Sequence, residues 1–464
     1  MPKITMIGAG STVFAKNLLG DCMASPSLED SHFALHDIDP KRLEQTAQIM
    51  TAISRTFGSK ATITTHLDRR EALKGADYVF NAIQVGGYKP STVIDFEIPS
   101  RYGLRQTIGD TLGIGGIFRG LRTIPVMLDI ARDIEELCPD AWLLNYTNPM
   151  AMVTGAMLRA TDVKTVGLCH SVQCCVPELL KPLDIPLSGV KWKIAGINHM
   201  AWLLEVSHNG EDLYPEIKRL AEARSKAGKH NDMVRYEMMK RFGYYVTESS
   251  EHNAEYLPYF IKSTAPELID RFNIPLDEYP RRCEEYEHLW TGIEAALGGM
   301  LTEEMEAQLM TLLDENTANE VQGLLSAWRK GEALPHTRSE EYASYMLEAM
   351  ETGSPYTFGG NVLNRGLITN LPENAVVEVT CLADQNGITP TVAGALPPQL
   401  AALSRTNINV QDLAIEAALT RRRDYIYHAA MLDPHTAAEL TMDQITNLCD
   451  DLIEAHGGYL PAYQ

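Results

Sequence analysis

The chain has 464 residues, 45% of them hydrophobic, and its 40 basic and 61 acidic side chains leave a formal charge of −21. That length suggests two domains sharing a core rather than one. The acidity argues against nucleic acid as a partner, because phosphate backbones would be repelled, and no stretch reaches the roughly 18 apolar residues that a membrane span needs.

Met1 to Thr5 leads straight into strand-like sequence with no signal peptide ahead of it. Eight cysteines in so long a chain do not make a disulfide framework and suit a reducing compartment. A cytoplasmic protein is expected.

The first 170 residues alternate short apolar runs with helical stretches. Lys3–Ile7 reads as a strand followed by a helix over Ser11–Met23, and Phe33–His36 as a strand followed by a helix over Pro40–Phe57. Ala61–Thr64, Tyr78–Ile83, Trp142–Leu144 and Thr165–Leu168 complete six strands. Short β-runs separated by helices imply an α/β fold with a Rossmann-like, doubly wound parallel sheet. From residue 190 the pattern changes. Trp192–Ala195 and Trp202–Val206 are strand-like, helices dominate from 212 to 350, Val376–Leu382 is another strand and the last 60 residues are mostly helical. No Gly-, Ser- or Pro-rich linker divides the chain, so the expected second domain, 191–464, is mostly helical α+β and packs directly on the first, 1–190.

Polar or glycine-rich signatures follow most of the apolar runs at their C-terminal ends. They are Gly8-Ala9-Gly10-Ser11, Asp37-Ile38-Asp39, Gln84-Val85-Gly86-Gly87, Asn145-Tyr146-Thr147-Asn148-Pro149 and Cys169-His170-Ser171. Open α/β sheets bind ligands at that edge, so distant stretches of sequence converge on one crevice.

Gly8-x-Gly10 follows a strand and opens a helix. Glycines let the backbone approach a pyrophosphate, and a helix N-terminus favours its charge. Val13 occupies the third glycine slot, so the fingerprint is incomplete. Asp37 at the end of the second strand strengthens it, because a carboxylate there accepts both ribose hydroxyls of NAD and repels the 2′-phosphate of NADP. Gly8, Gly10, Ser11, Thr12 and Asp37 are the candidate cofactor contacts, and the first domain is read as the NAD-binding one. The plainer alternative is a tight turn with a helix cap at Ser11.

Cys169 ends the sixth strand and His199 lies 30 residues later. A thiolate and an imidazole suit a borderline divalent metal. Two protein ligands leave positions open for substrate oxygens, which is a catalytic arrangement. The segment Thr247–Tyr256 is dense in proton-transfer groups, and His252 and Tyr256, four apart, share a helical face. A capped, solvated helix start is its plainer reading. The residues alone carry the argument to a dinucleotide-dependent enzyme with a metal, for which a hydroxy-acid dehydrogenase is the default.

The combination of motifs goes further. Gly8–Thr12, Asp37–Asp39, Asn145–Met150, Gly167-Leu168-Cys169-His170-Ser171 and Gly196-Ile197-Asn198-His199-Met200 occur in an order that resembles glycoside hydrolase family 4. The likeness continues through Thr247–Tyr256, Asn361–Pro372 and Asn407-Ile408-Asn409. The triplet Cys169-His170-Ser171 is similar to the melibiase-type α-galactosidase branch, whereas branches acting on 6-phosphoglycosides commonly carry Asp or Asn after the cysteine. The resemblance implies a fold related to lactate and malate dehydrogenases, NAD and a divalent metal (commonly Mn2+) as cofactors, a homodimer or homotetramer, and melibiose-like α-galactosides as substrates. The family is an exception to paired-carboxylate glycoside hydrolysis. Its reaction is oxidation at C3 of the sugar, loss of the C2 proton, departure of the C1 group, addition of water, and reversal with NAD+ restored.

By the same resemblance, Cys169 and His199 are the metal ligands, Asn148 contacts the sugar near C2 and C3, and His170 holds the slot of the leaving-group acid. The base is His252, or Tyr256 if the alignment is shifted, with His252 preferred. Arg281, after Tyr279-Pro280, is a further candidate for substrate contact. The alternatives are a family member cleaving α-galacturonides, α-glucuronides or α-glucosides, an NAD-dependent hydroxy-acid dehydrogenase, and a nucleotide-binding sensor without catalysis. One stretch departs from the family pattern: Gly298–Lys330 carries extra helical sequence rich in Leu, Met and Glu, expected to form an oligomer contact or an active-site cover.

Overall fold

The computed structural model describes residues 1–311, 313 and 315–464, apart from the side chains of 12, 13, 315–317 and 320. Its strands are β1 (Lys3–Ile7), β2 (His32–His36), β3 (Thr62–His66), β4 (Tyr78–Asn81), β5 (Trp142–Asn145), β6 (Lys164–Gly167), β7 (Val190–Ile197), β8 (Met200–His208), β9 (Glu211–Asp212), β10 (Tyr245–Val246), β11 (Tyr356–Leu363), β12 (Val376–Asp384) and β13 (Gly387–Pro390). The order β3-β2-β1-β4-β5-β6, parallel throughout, is that of a dinucleotide-binding fold. Helices cover both faces, so the central strands are buried on both sides, β4 throughout and β1 from Ile4 to Ile7. Alternation divides their side chains between two cores: Ile4, Met6, Phe80 and Leu144 face one, Ile7, Val79 and Leu143 the other.

The sheet does not stop at residue 190. Asn361 of β11 pairs with Gly167 of β6, and Glu378 of β12 pairs with Gly196 of β7. Through these junctions the antiparallel strands β11, β12, β7, β8 and β10 extend the parallel half into one sheet of 13 strands among the described residues. The strands expected from the sequence lie within two residues of those observed, but β11 was not expected. Gly359 and Gly360 break its apolar alternation, and a Cβ on Gly359 would lie 2.9 Å from Val172, at the start of the helix that follows Cys169.

The stretch Gly298–Lys330 forms helices over Glu303–Thr311 and Glu315–Arg329. The chain then runs back along the nucleotide-binding half. Leu334 exchanges backbone and hydroxyl bonds with Ala52 and Thr56, His336 and Ser339 bond Asp21, and Glu341 reaches His170. Among the described residues no helix is long and apolar enough to cross a membrane.

Candidate active site

The turn after β1 is built on two close approaches. Gly8 has φ of +88°, and a Cβ there would lie 2.5 Å from the Ala82 carbonyl oxygen. A Cβ on Gly10 would lie 2.6 Å from Oδ2 of Asp37, to which the Gly10 N–H donates at 2.7 Å. Oδ1 of Asp37 accepts from the Asp39 N–H at 2.9 Å. The carboxylate is thus pinned at the lip of the turn. Beside it Ile38 is 88% exposed, a flat apolar surface of the kind an adenine ring covers. The Ser11 hydroxyl makes no cap bond to the helix it precedes. The side chain of Thr12 lies outside the described residues. This cradle fits a dinucleotide: Gly8 and Gly10 present no Cβ, and a helix opens directly after them.

Cys169 emerges from β6, His199 from the turn between β7 and β8, and Glu248 from the loop after β10. One donor atom from each lies within 4.8 Å of the other two. Nε2 of His199 is 3.4 Å from Oε2 of Glu248, and its Nδ1 is 3.0 Å from the Tyr256 hydroxyl. Burial alone would lower the His199 imidazole, but the Glu248 carboxylate and the Cys169 thiol raise it to about 10. Glu248 is buried too, yet His199 and His252 hold its carboxyl at about 2. A thiol, an imidazole and a carboxylate that gather cationic charge so strongly fit a divalent metal.

His252 lies in the short helix Ser250–Glu255, capped by Ser249. Its Nδ1 is 2.8 Å from Ser249 Oγ and 3.4 Å from Oε1 of Glu248, and its Nε2 faces Oδ1 of Asp110 at 3.8 Å. Burial depresses it, so the ring is neutral near pH 7 and able to accept a proton. Tyr256 is fully buried beneath His199, and burial together with Asp110, Glu255 and Glu248 pushes its hydroxyl well above the ordinary range. His170, at the rim, pairs with Glu341; that hydrogen bond raises the imidazole against burial.

Asn148 is positioned by a buried amide network. Asn81 Nδ2 donates to Asn145 Oδ1 at 3.0 Å and to Thr147 Oγ1 at 2.9 Å, fixing the turn after β5. Asn148 Nδ2 then donates to Asp110 Oδ2 at 3.2 Å, and Arg119 Nε donates to the Asn148 carbonyl at 3.3 Å. Arg119 also reaches the Tyr279 hydroxyl at 3.3 Å. Burial opposes the charge on Asp110, but Arg119, His252 and His199 hold its carboxyl below the usual range. The loop carrying Asp110 is locked by Glu255, whose carboxylate accepts from the backbone N–H groups of Thr107, Ile108 and Gly109 at 2.8, 3.2 and 2.7 Å.

The structure therefore brings Cys169, His170, His199, His252, Tyr256 and Asn148 to one edge of the sheet. Arg281 is not among them: it pairs with Glu278 and Glu285 along its own helix. Sequence reasoning missed Asp110, Arg119, Glu248, Tyr279, Glu341 and Glu378. For Glu378 a signal existed, a lone carboxylate inside the apolar run Val376-Val377-Glu378-Val379. Arg119 likewise interrupts the apolar helix run Ile117-Phe118-Arg119-Gly120-Leu121, and the others lie where spacing carries no mark.

The family 4 glycosyl hydrolase model matches residues 3–185, and the model of that family's C-terminal domain matches residues 194–436. The chain is 59% identical over 464 residues to an α-galactosidase of Bacillus subtilis (strain 168), covering 100% of each. It is 35% identical over 463 residues to an α-galactosidase of Rhizobium meliloti (strain 1021), covering 99% of this chain and 89% of the relative. A crystal structure of a 6-phospho-α-glucosidase from gut microorganisms, in complex with NAD and Mn2+, superimposes with a TM-score of 0.76 at 21% identity over 100% of both chains.

Proposed function

The chain belongs to the family 4 glycosyl hydrolases, and from that premise we propose that it is an NAD- and divalent-metal-dependent α-galactosidase acting on melibiose-like substrates. The observation that carries the substrate is 59% identity across the full length of an α-galactosidase. When bound, NAD+ supplies an oxidant for a sugar carbinol and the divalent cation, Mn2+ or another, supplies Lewis acidity. Gly8, Gly10, Ser11, Thr12 and Asp37 hold the nucleotide, and Cys169 and His199 hold the cation. Asn148 orients sugar hydroxyls at C2 and C3.

His252 takes the C2 proton. Its neutral ring within the cluster supports this role over Tyr256, whose hydroxyl is buried behind His199 and resists ionisation. His170, whose imidazole Glu341 raises above its ordinary value, gives a proton to the departing C1 group. The same reading has the enzyme act as a homodimer or homotetramer in the cytoplasm, with the NAD-binding part at 1–190 and the substrate and metal part at 191–464. Sedimentation and cell fractionation test the first two points.

The decisive assay is hydrolysis of p-nitrophenyl α-galactoside by dialysed enzyme, with NAD+, Mn2+ and a thiol reductant added back singly and together. Cleavage should need all three and leave no lasting absorbance at 340 nm. Faster turnover of an α-galacturonide, α-glucuronide or α-glucoside would move the substrate elsewhere in the family. Net accumulation of NADH would favour a hydroxy-acid dehydrogenase.

A further inference from the structure

We propose that Glu248 is a third protein ligand of the divalent cation, so that a thiolate, an imidazole and a carboxylate hold it from one side and leave the other to substrate. The proposal rests on the reading that Cys169 and His199 bind that cation. Donors sharing one ion stand no farther apart than two bonds of about 2.0 to 2.4 Å laid end to end. The donor atoms of Cys169, His199 and Glu248 meet that limit, all lying within 4.8 Å of one another.

Orientation agrees with distance. His199 has Nδ1 turned back to Tyr256 at 3.0 Å and Nε2 turned toward Glu248 at 3.4 Å. A metal-bound imidazole needs its second nitrogen occupied in this way. The backbone adds an independent sign. His199 has φ of +60° and Glu248 φ of +66°. Non-glycine residues adopt that left-handed region at a cost, and such strain concentrates where function fixes a side chain. Here both residues meet across the same small space.

Charge completes the case. A thiolate with a neutral imidazole leaves a divalent ion with one net positive charge, whereas adding a carboxylate makes the centre neutral. A hard oxygen beside a soft sulfur also widens the site to Mn2+, which prefers oxygen ligands. The other cluster at this site, Asp110 with His199 and His252, needs the same His199. Its carboxylate is already engaged by Thr111 and Asn148. Through Oε1, 3.4 Å from Nδ1 of His252, Glu248 would also couple the cation to the ring that accepts the proton.

The test is Mn2+ titration of NAD-loaded enzyme by calorimetry and electron paramagnetic resonance, with the visible spectrum of the Co2+-substituted protein as a second readout. Glu248→Gln should weaken Mn2+ at least tenfold and change the Co2+ d–d bands, while Glu251→Gln, a neighbouring carboxylate outside the cluster, should bind as wild type. Glu248→Asp keeps the charge but draws it back by one methylene; ligation predicts weaker Mn2+, and a merely electrostatic role predicts none. NAD affinity and thermal melting verify that each variant is folded. Wild-type affinity in both Glu248 variants, or weaker binding with an unchanged Co2+ spectrum, would overturn the proposal. If Cys169→Ser also binds Mn2+ as wild type, it is the underlying metal site that fails.

Discussion

The Tyr256 hydroxyl lies 3.0 Å from Nδ1 of His199, while the ring's Nε2 faces Glu248. In the tautomer that frees Nε2 for a metal, Nδ1–H donates to the tyrosine oxygen. Tyr256 is fully buried and holds the His199 imidazole from behind.

That relationship separates two residues that share a helical face. Tyr256→Phe should weaken Mn2+ by about tenfold to a hundredfold, the usual effect of losing a hydrogen bond behind a ligand. His252→Ala should instead keep NAD+ and metal, lose exchange of C2 deuterium with solvent, and show a larger isotope effect at C2. If His252→Ala exchanges at the wild-type rate while Tyr256→Phe does not, the roles are reversed.

Glu341 sets the working range of His170. The hydrogen bond that His170 donates to the Glu341 carboxylate raises the imidazole pKa in the folded state, against burial. A raised value means the pair stabilises the protein fully below the unfolded imidazole value, and that contribution is lost as pH rises through the folded value. In the proposed role of acid, His170 is active while protonated, that is, below the folded value. Glu341→Gln should therefore move the alkaline limb of the kcat/KM profile to lower pH, with the acid limb unchanged. An unmoved alkaline limb would remove His170 from the acid role.

Gly10→Ala tests the nucleotide turn without touching the chemistry. The added Cβ would lie 2.6 Å from the Asp37 carboxylate and push it off the Gly10 N–H. Because Gly10 lacks the positive φ of Gly8, the backbone tolerates alanine and the fold should survive. NAD+ affinity should fall at least tenfold by calorimetry while Mn2+ affinity holds. Unchanged NAD+ binding would place the nucleotide elsewhere.

The parallel half of the sheet was legible because its strands are short β-runs separated by helices and most end in a polar or glycine-rich turn, as at Gly8 and Asn145. Cys169 and His199 were legible for the same reason: each sits at a strand end. β11 was not, because Gly359 and Gly360 erase the alternation that marks a strand, and they are there to admit Val172 and Cys381. Nor was the convergence of Asp110 and Glu248 on the two histidines. Asp110 is aimed by Glu255 gripping three backbone amides in a loop 146 to 148 residues away, a contact no local pattern encodes.

Glu378 ties the two halves of the sheet to the proposed metal site. It is fully buried in β12, and Oε1 accepts from Asn361 Nδ2 at 2.9 Å and from Asn198 Nδ2 at 3.2 Å. Asn361 sits at the β11–β6 junction, two residues from Cys169 across the pairing with Gly167, and Asn198 directly precedes His199. One carboxylate thus fixes the exits of both proposed metal ligands. Glu378→Leu would leave the Asn198 amide without its acceptor and the Asn361 amide with the Gly167 carbonyl alone, at about 1–3 kcal/mol per lost partner. Glu378→Gln keeps an acceptor oxygen and loses only charge, which burial already disfavours by raising the carboxyl pKa. Urea unfolding should show a clear loss of midpoint for leucine and a small change for glutamine. The leucine variant should also bind Mn2+ more weakly, because Asn198 is released, while its NAD+ affinity stays near wild type. If leucine lowers the midpoint but leaves Mn2+ affinity intact, Glu378 serves the sheet junction alone.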